Sequence, residues 1–373
     1  MSLRGARRRS NLIDVVIRRD RCAPVGFAMT EFMKRYLPLG LFLILIILGG
    51  YLIWGKKSQT VDIYSSGSNA SPSAVPQILK SPISGLACAN AERRPMAVML
   101  AGDAIARPLS GLSEADLVFN MPVITDSITR MMAIYVCNSP KEIGSVRSTR
   151  DDFIPLARGL DAILAHWGGS HFALDLLDKG IMNNIDALKN PANSFFRKSG
   201  IVAPHNGFTS YTRLSAAAQK LGYRLEGKEI GFLHFDEIPS SSATTTKTLS
   251  IGFLGLFSVK YTYDPVSNSY LRWRGNTKEI DKNNSQQVAA KNVIIMFAES
   301  HQIEGQYNAV AVEGSGKAQV YRNGEEIFGT WKKDAKNQTS KLYFYDAAGQ
   351  EIKFVPGQIW VEVVQPNQKI SWQ

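Results

Sequence analysis

The sequence predicts an α+β ectodomain of two domains, an α/β domain followed by a mostly β domain, behind one transmembrane helix. Three observations indicate this architecture. An uncharged apolar run lies near the N-terminus, apolar strands alternate with helical patterns up to about residue 238, and a period of two dominates beyond residue 249. The chain of 373 residues is long enough for two domains of ordinary size behind a membrane segment.

The apolar run 37–54 has the length of a membrane span, because about twenty residues at about 1.5 Å each cross a hydrocarbon core of about 30 Å. Nine Lys/Arg and three Asp/Glu precede it, which predicts a cytoplasmic segment 1–36 and an extracytoplasmic C-terminal part. A cleaved signal peptide would end in small residues, whereas this run ends in Trp54-Gly55-Lys56-Lys57. A lipid-modified cysteine is disfavoured because Cys88 lies more than thirty residues beyond the run. We therefore expect a retained signal anchor in the cell membrane.

The formal charge of +11 exceeds that of the extracytoplasmic part, where 34 basic side chains face 29 acidic ones. This mild excess suits an anionic envelope polymer or a lipid surface, and it also suits plain solubility. Beyond the membrane run, no Lys/Arg-rich stretch carries interleaved aromatic residues, so nucleic acid is not an expected partner. Residues 55–80 are small, polar and proline-bearing, which predicts a flexible stalk.

The three cysteines fall on both sides of the predicted membrane. Cys22 is on the cytoplasmic side, while Cys88 and Cys137 lie outside, where disulfides persist. These two could also be small buried residues. The pattern predicts a Cys88–Cys137 disulfide.

The α/β domain is expected over residues 81–238. Its apolar runs predict strands at 96–100, 128–136 and 162–167. Helical spacing follows Ser170, an N-capping residue type, and recurs over 211–221. The alternation favours a mixed or parallel sheet.

The mostly β domain is expected over residues 249–373, after a Ser/Thr-rich hinge. Alternation over 259–263 predicts one strand, and Asn323-Gly324 predicts a hairpin between 318–321 and 327–331. Further strands are expected at 270–273, 343–345, 352–354 and 359–364. We interpret this domain as a sandwich or barrel.

Residues 144–206 hold the densest set of reactive groups. Glycines allow close backbone approach, free N–H groups at a helix start favour an anion, and arginines bind phosphate or carboxylate. The alternative is a tight turn with an N-cap beside a structural salt-bridge network. The candidate ligand-binding residues are Arg147, Arg150, Asp151, His166, Gly168, Gly169, Ser170, His171, His205 and Asn206.

Two function classes are consistent with these residues. The first is a binding module for an anionic envelope component or a partner protein. The second is a hydrolase or transferase that acts on a cell-wall or lipid-linked polymer through His166, His171 and His205 with Asp151 and Asp152. His166 and His171 lack standard ligand spacing, and although His205 and Asp151 could complete a set in space, no metal site is expected. No cofactor is expected either. A Gly-x-Ser-x-Gly elbow is absent from the sequence.

Several motifs together resemble the YerB-like lipoprotein family, also called domain of unknown function 3048. They include Arg94-Pro95-Met96-Ala97-Val98-Met99, Ile143-Gly144-Ser145-Val146-Arg147-Ser148-Thr149-Arg150, His166-Trp167-Gly168-Gly169-Ser170 and Ala203-Pro204-His205-Asn206. The resemblance covers nearly everything after residue 80. It implies an envelope-facing protein of two parts and supplies no activity.

The chain departs from this family pattern in two ways. The resemblance implies a lipid anchor where this sequence has an apolar run, and it implies acidic residues before Ile128-Thr129-Arg130 where this sequence has Asn120 and Asp126. A function that used those acids would be altered here.

The turn at Gly168-Gly169-Ser170 leads to one geometric expectation. Open α/β sheets bind ligands where strands end, and the helix after Ser170 begins at such an end. We therefore expect Arg147, Arg150, His166, Gly169 and His205 to converge on one pocket.

Overall fold

The computed structural model describes residues 79–124, 128–241, 243–253 and 255–373, which belong to one compact unit. The predicted cytoplasmic segment 1–36, the membrane helix 37–54 and the stalk up to residue 78 lie outside the described residues. Among the helices of the described part, none is long and apolar enough to span a bilayer.

Up to residue 241, the described chain forms eight strands and three α-helices. The helices are α1 (Phe153–Gly159), α2 (His171–Asp178) and α3 (Tyr211–Lys220). The strands are β1 (Met96–Ala101), β2 (Leu117–Pro122), β3 (Thr129–Tyr135), β4 (Ile143–Gly144), β5 (Ile163–His166), β6 (Asn184–Asp186), β7 (Phe196–Arg197) and β8 (Gly207–Thr209).

Beyond residue 243, the described chain contains strands and one short 3₁₀ turn. The strands are β9 (Lys247–Ile251), β10 (Val259–Asp264), β11 (Ser269–Arg274), β12 (Thr277–Lys278), β13 (Ala289–Ala290), β14 (Asn292–Phe297), β15 (Ser300–Glu304), β16 (Tyr307–Val310), β17 (Gly314–Arg322), β18 (Glu325–Lys333), β19 (Tyr343–Asp346), β20 (Ile359–Val364) and β21 (Ile370–Trp372). The fold is therefore mostly β with few helices.

A ten-stranded mixed sheet runs through the described unit in the order β19-β18-β17-β14-β20-β2-β3-β1-β5-β6. The neighbours β1 and β5, β5 and β6, β14 and β20, and β20 and β2 are parallel. Strand β20 lies between β14 and β2, so the two predicted segments 81–238 and 249–373 share this sheet.

Both faces of the sheet are covered, because alternate residues of a strand point to opposite faces. On one face, Val98 and Leu100 of β1 join a buried cluster that includes Leu214 of α3. On the other face, Ala97 and Met99 belong to a cluster with residues of α1 and α2. Burial on both sides explains why β1 reads as a continuous apolar run.

The sandwich or barrel expected for the C-terminal part is wrong. Five of its strands complete the ten-stranded sheet, and a second sheet in the order β12-β11-β10-β9-β21, with β13 paired to β11, packs against one face of it. The physical reason is the pairing of β20 with β2 from residue 117 onward, which local sequence patterns do not show. The strand expected at 352–354 is also wrong, since this segment makes only an isolated bridge between Phe354 and His234.

The predicted disulfide is confirmed. Cys88 and Cys137 are bonded, with their Cα atoms 5.6 Å apart. The bond ties the segment before β1 to the end of β3. Because the Cys88 sulfur is bonded to Cys137, it is not free to carry a lipid.

Candidate anion-binding site

The site lies where the parallel strands β1 and β5 end. The segment 146–150 runs between these two ends, since the Arg147 N–H donates to the Met99 carbonyl at 2.9 Å and the Trp167 N–H donates to the Arg147 carbonyl at 3.0 Å. The Thr149 N–H then donates to the Gly168 carbonyl at 3.0 Å. These bonds place Arg147 and the residues that follow it at the carboxyl edge of the sheet, where open sheets carry their ligand sites.

A cleft of about 280 Å³ opens at this edge, and we call it the arginine cleft. Arg130 enters it from β3, opposite the last residue of β1. Tyr307 enters it from the hairpin formed by β15 and β16, and its ring lies 5.4 Å from the Arg150 guanidinium carbon. The residues that define the arginine cleft are Asp103, Arg130, Arg147, Arg150, Gly169 and Tyr307.

The three guanidinium groups line one small cleft, although burial of a positive charge costs free energy. Arg130 is only 3% exposed, and burial together with the charges of Arg150 and Arg147 lowers its pKa to about 9. Burial also lowers the pKa of Arg150, with Arg147 adding to the effect. A shift in this direction means that the cleft disfavours further positive charge, so an anion would relieve it.

Several polar atoms at the cleft are buried without a hydrogen-bond partner. They are Asp103 Oδ2, Arg130 Nε, Arg147 Nε and Arg150 Nε, with His205 Nδ1 beside Asp103. Arg130 does donate through Nη1 to the carbonyl and hydroxyl of Ser148, both at 2.9 Å. Buried polar groups are normally satisfied, so this concentration of unpaired atoms is typical of a ligand site.

His205 lies at the edge of the cleft, with Nδ1 4.0 Å from Asp103 Oδ2. Burial lowers its pKa below the ordinary value, and the attraction of Asp103 is opposed by the charges of Arg147 and Arg130. The imidazole is therefore neutral near pH 7.

His166 lies outside the cleft, contrary to the convergence expected above. Its ring is fully buried, with Nδ1 2.9 Å from the Gly168 carbonyl and Nε2 3.2 Å from Asn184 Oδ1. Gly168 has a φ of +62° and donates its N–H to Asp186 Oδ1 at 2.9 Å. The physical reason is that both ring nitrogens have partners within the fold, and the contact of Nδ1 with the Gly168 carbonyl stabilises this left-handed turn.

Ser170 and His171 begin α2 beside the cleft. The Ser170 hydroxyl oxygen accepts from the Ala173 N–H at 3.2 Å as an N-cap, and the hydroxyl lies 3.4 Å from Asp151 Oδ1. His171 is about half exposed, with Nε2 3.3 Å from Glu304 Oε2. Neither residue lines the cleft, although Gly169 directly before them does.

The side chains of Asp152 and Asn206 do not line the arginine cleft. Asp152 is buried in a neighbouring cavity, where burial and the charge of Asp151 raise its pKa to about 7. Asn206 Oδ1 accepts from Arg197 at 2.6 Å, outside the cleft.

The structure does not bring the three histidines of segment 144–206 together. Each lies near a different carboxylate: His166 near Asp186, His171 near Glu304 and His205 near Asp103. Across the described ranges, no group of three or more His, Cys, Asp or Glu side chains could hold a metal ion.

Asn120 lies deep between the two sheets. Its amide donates to Glu362 Oε2 at 2.6 Å, while Glu362 Oε1 accepts from Tyr261 at 2.6 Å and pairs with Arg272 at 3.1 Å. The Asn120 amide thus stabilises the Glu362 carboxylate, which is buried in the core. Asp126 lies outside the described residues.

Sequence reasoning missed Asp103, Arg130 and Tyr307 as parts of the cleft. A signal for Arg130 was present, because an arginine interrupts the otherwise apolar run that forms β3. Charged residues are almost never fully buried without a partner, so such an interruption points to a site.

Profiles of one family match most of the described chain. The N-terminal domain of the protein of unknown function DUF3048 matches residues 83–224, and its C-terminal domain matches residues 250–361. The Bacillus subtilis protein named "Putative lipoprotein YerB" is 31% identical over 77% of this chain and 86% of its own length. The crystal structure of YerB from Bacillus subtilis has a TM-score of 0.70 at 29% identity, covering 79% of this chain and 99% of that chain. The chain therefore belongs to the DUF3048 family and carries both of its domains.

Proposed function

We propose that this protein is a membrane-anchored, extracytoplasmic binding protein that recognises an anionic component of the cell envelope in the arginine cleft. The observation that carries the proposal is the convergence of Arg130, Arg147 and Arg150 on one small cleft, with buried nitrogens that lack partners. Guanidinium groups bind carboxylate and phosphate through paired hydrogen bonds. The separation of the histidines favours binding over catalysis.

The extracytoplasmic location draws support from two sources. Disulfides such as Cys88–Cys137 persist in oxidising compartments outside the cytoplasm. The relative named as a lipoprotein suggests a membrane-associated protein of the envelope. In this chain we assign the anchor to the apolar run 37–54.

The test uses the full-length protein in mild detergent. Its affinity is measured for a phosphate-bearing envelope polymer, a carboxylate-bearing one and a neutral glycan. We expect binding to an anionic polymer and none to the neutral glycan. Arg147→Ala should weaken that binding about 10- to 100-fold, because a charge-assisted hydrogen bond contributes about 1.5–3 kcal/mol.

The matched control is Lys220→Ala, which removes one positive charge from an exposed position at the end of α3. Its affinity should equal that of the unmodified protein. If Arg147→Ala folds normally and binds every polymer unchanged, the cleft is not the binding site and the proposal fails.

The alternative, a hydrolase or transferase, has one specific observation in its favour. His205 and Asp103 lie 4.0 Å apart beside the arginines, so an acid–base pair would face a bound anion. Incubation with the same polymers would release product, and Asp103→Asn would abolish the release. Binding without turnover would exclude this alternative for those polymers.

A further inference from the structure

The charge of the arginine cleft limits the kind of anion that it fits. Three arginines and one acid, Asp103, line it, which leaves an excess of two positive charges. His205 adds none at pH 8, since burial lowers its pKa below the ordinary value. A group with two negative charges would balance the cleft, whereas a carboxylate would leave one positive charge uncompensated.

Free hydrogen-bond donors remain on each arginine. Among the described residues, the Arg147 side chain has no hydrogen-bond or ion-pair partner. Arg130 and Arg150 each donate to protein groups through Nη1, to Ser148 and, for Arg150, also to the Thr149 carbonyl at 3.0 Å. Their remaining nitrogens are available to several acceptor oxygens of one small group.

Charges behind the cleft also favour an anion. Arg107 and Arg274 both donate to the Gly102 carbonyl at 2.9 Å, directly before Asp103. On the other side, Asp151 and Asp152 lie near Arg150 in the neighbouring cavity and oppose this effect. The charge of the buried Glu279 acts on both Arg107 and Arg274 and offsets part of the positive potential that they add near the cleft.

The size of the cleft also favours a small anionic group. Its volume of about 280 Å³ lies just below the range for ligand sites, about 300–1,000 Å³. Such a cleft fits a compact headgroup and leaves the remainder of a larger molecule outside.

We propose that the arginine cleft binds a dianionic phosphate group, a phosphate monoester or a terminal phosphate, held by Arg130, Arg147 and Arg150. This inference rests on the proposed function and names the chemical class of its ligand. The guanidinium fork matches pairs of phosphate oxygens, and a terminal phosphate offers three of them. A phosphate diester carries a single charge and is covered by two substituents, so it satisfies fewer donors.

The experiment titrates the full-length protein in mild detergent at pH 8 with glycerol phosphate, dimethyl phosphate and acetate. We expect glycerol phosphate, the dianionic monoester, to bind at least tenfold more tightly than the monoanionic diester or acetate. Arg147→Ala should remove this preference, and Lys220→Ala should keep it. Thermal unfolding of each variant verifies that it is folded, and Arg147→Lys retains the charge if the alanine variant does not fold.

A second arm distinguishes a lipid from a soluble ligand. The same protein is placed in micelles that contain either phosphatidic acid, a phosphate monoester, or phosphatidylglycerol, a diester. Preference for phosphatidic acid supports the inference with a lipid headgroup as the source, and preference for glycerol phosphate alone supports it with a soluble source.

Two outcomes would overturn the inference and are distinguishable. Equal affinity for monoester, diester and acetate, lost in Arg147→Ala, refutes the phosphate dianion but leaves anion binding intact. Failure of the folded protein to bind any small anion or anionic polymer refutes the proposed function as well.

Discussion

Asp152 is buried in the cavity next to the arginine cleft, and its carboxyl group makes the stability of the folded protein depend on pH. Burial and Asp151 raise its pKa from 3.8 to about 7. The folded protein therefore binds this proton more tightly than the unfolded chain does. Between about pH 4 and pH 7, unfolding releases the proton, so the contribution of this group to stability falls as the pH rises.

Asp152→Asn removes this titration while keeping a side chain of similar shape. We expect the variant to gain stability over the unmodified protein progressively between pH 4 and pH 7, reaching up to about 4 kcal/mol near pH 8. At pH 3, where Asp152 is protonated in both states, the two proteins should be nearly equal. Urea unfolding at four pH values measures this difference, and a constant difference across the range would contradict the assignment.

Individual residues of the cleft were only partly predictable from sequence. Gly169 was predictable because it belongs to a glycine turn at a helix start, and Arg147 and Arg150 were predictable because they lie in the segment densest in reactive groups; both are local signals. His166 was misplaced because nothing local shows that Asn184 occupies its Nε2. Asp103 and Arg130 were missed because they reach the cleft only through the pairing of β1 with β3.

At the scale of elements, the hairpin of β17 and β18 forms where the sequence places it. Asn323 and Gly324 both have positive φ, +53° and +76°, as a tight two-residue turn requires. By contrast, β2 and β14 were not predicted, although both are fully or almost fully buried. Local patterns fix single strands and hairpins, whereas the sheet order depends on pairings between distant segments.

We expect Gly324→Ala to destabilise the protein by more than the cost of placing an alanine in a left-handed backbone conformation. A Cβ at this position would lie 2.6 Å from the Ala243 Cβ and 2.7 Å from Tyr263 Cε1. Gly349 has the same φ of +76° with nothing within 4 Å, so Gly349→Ala is the matched control.

Both variants carry the backbone cost of about 1–2 kcal/mol. We expect Gly324→Ala to lose about 1–3 kcal/mol more because of overpacking. Equal free energies of unfolding for the two variants would show that the turn relaxes without strain.

At the scale of the whole molecule, the Cys88–Cys137 bond closes a long loop. Its partners are 49 residues apart, so the bond restricts the unfolded chain. Replacing both residues by serine should lower the free energy of unfolding by about 2–4 kcal/mol. Cys22→Ser is the control and should change nothing. Alkylation of both thiols in the unreduced, denatured protein would show that the bond does not form.

Membrane orientation is a separate prediction. The excess of positive charge in residues 1–36 predicts that the C-terminal part lies outside the cytoplasm. A reporter that is active only outside the cytoplasm, fused after Gln373, should give a signal. A stable but inactive fusion would contradict this orientation.

The central position of β20 determines when this protein can finish folding. Its residues Ile359–Val364 separate β2 from β14; β14 pairs with it along its whole length, and β2 pairs with it over Leu117–Asn120. Until this segment has been synthesised, the sheet remains two halves, each with an unpaired apolar edge. Such edges invite pairing with other chains. A chain that stops before Ile359 would therefore be a substrate for chaperones and proteases, because the last fifteen residues contain the strand that joins the two halves of the sheet.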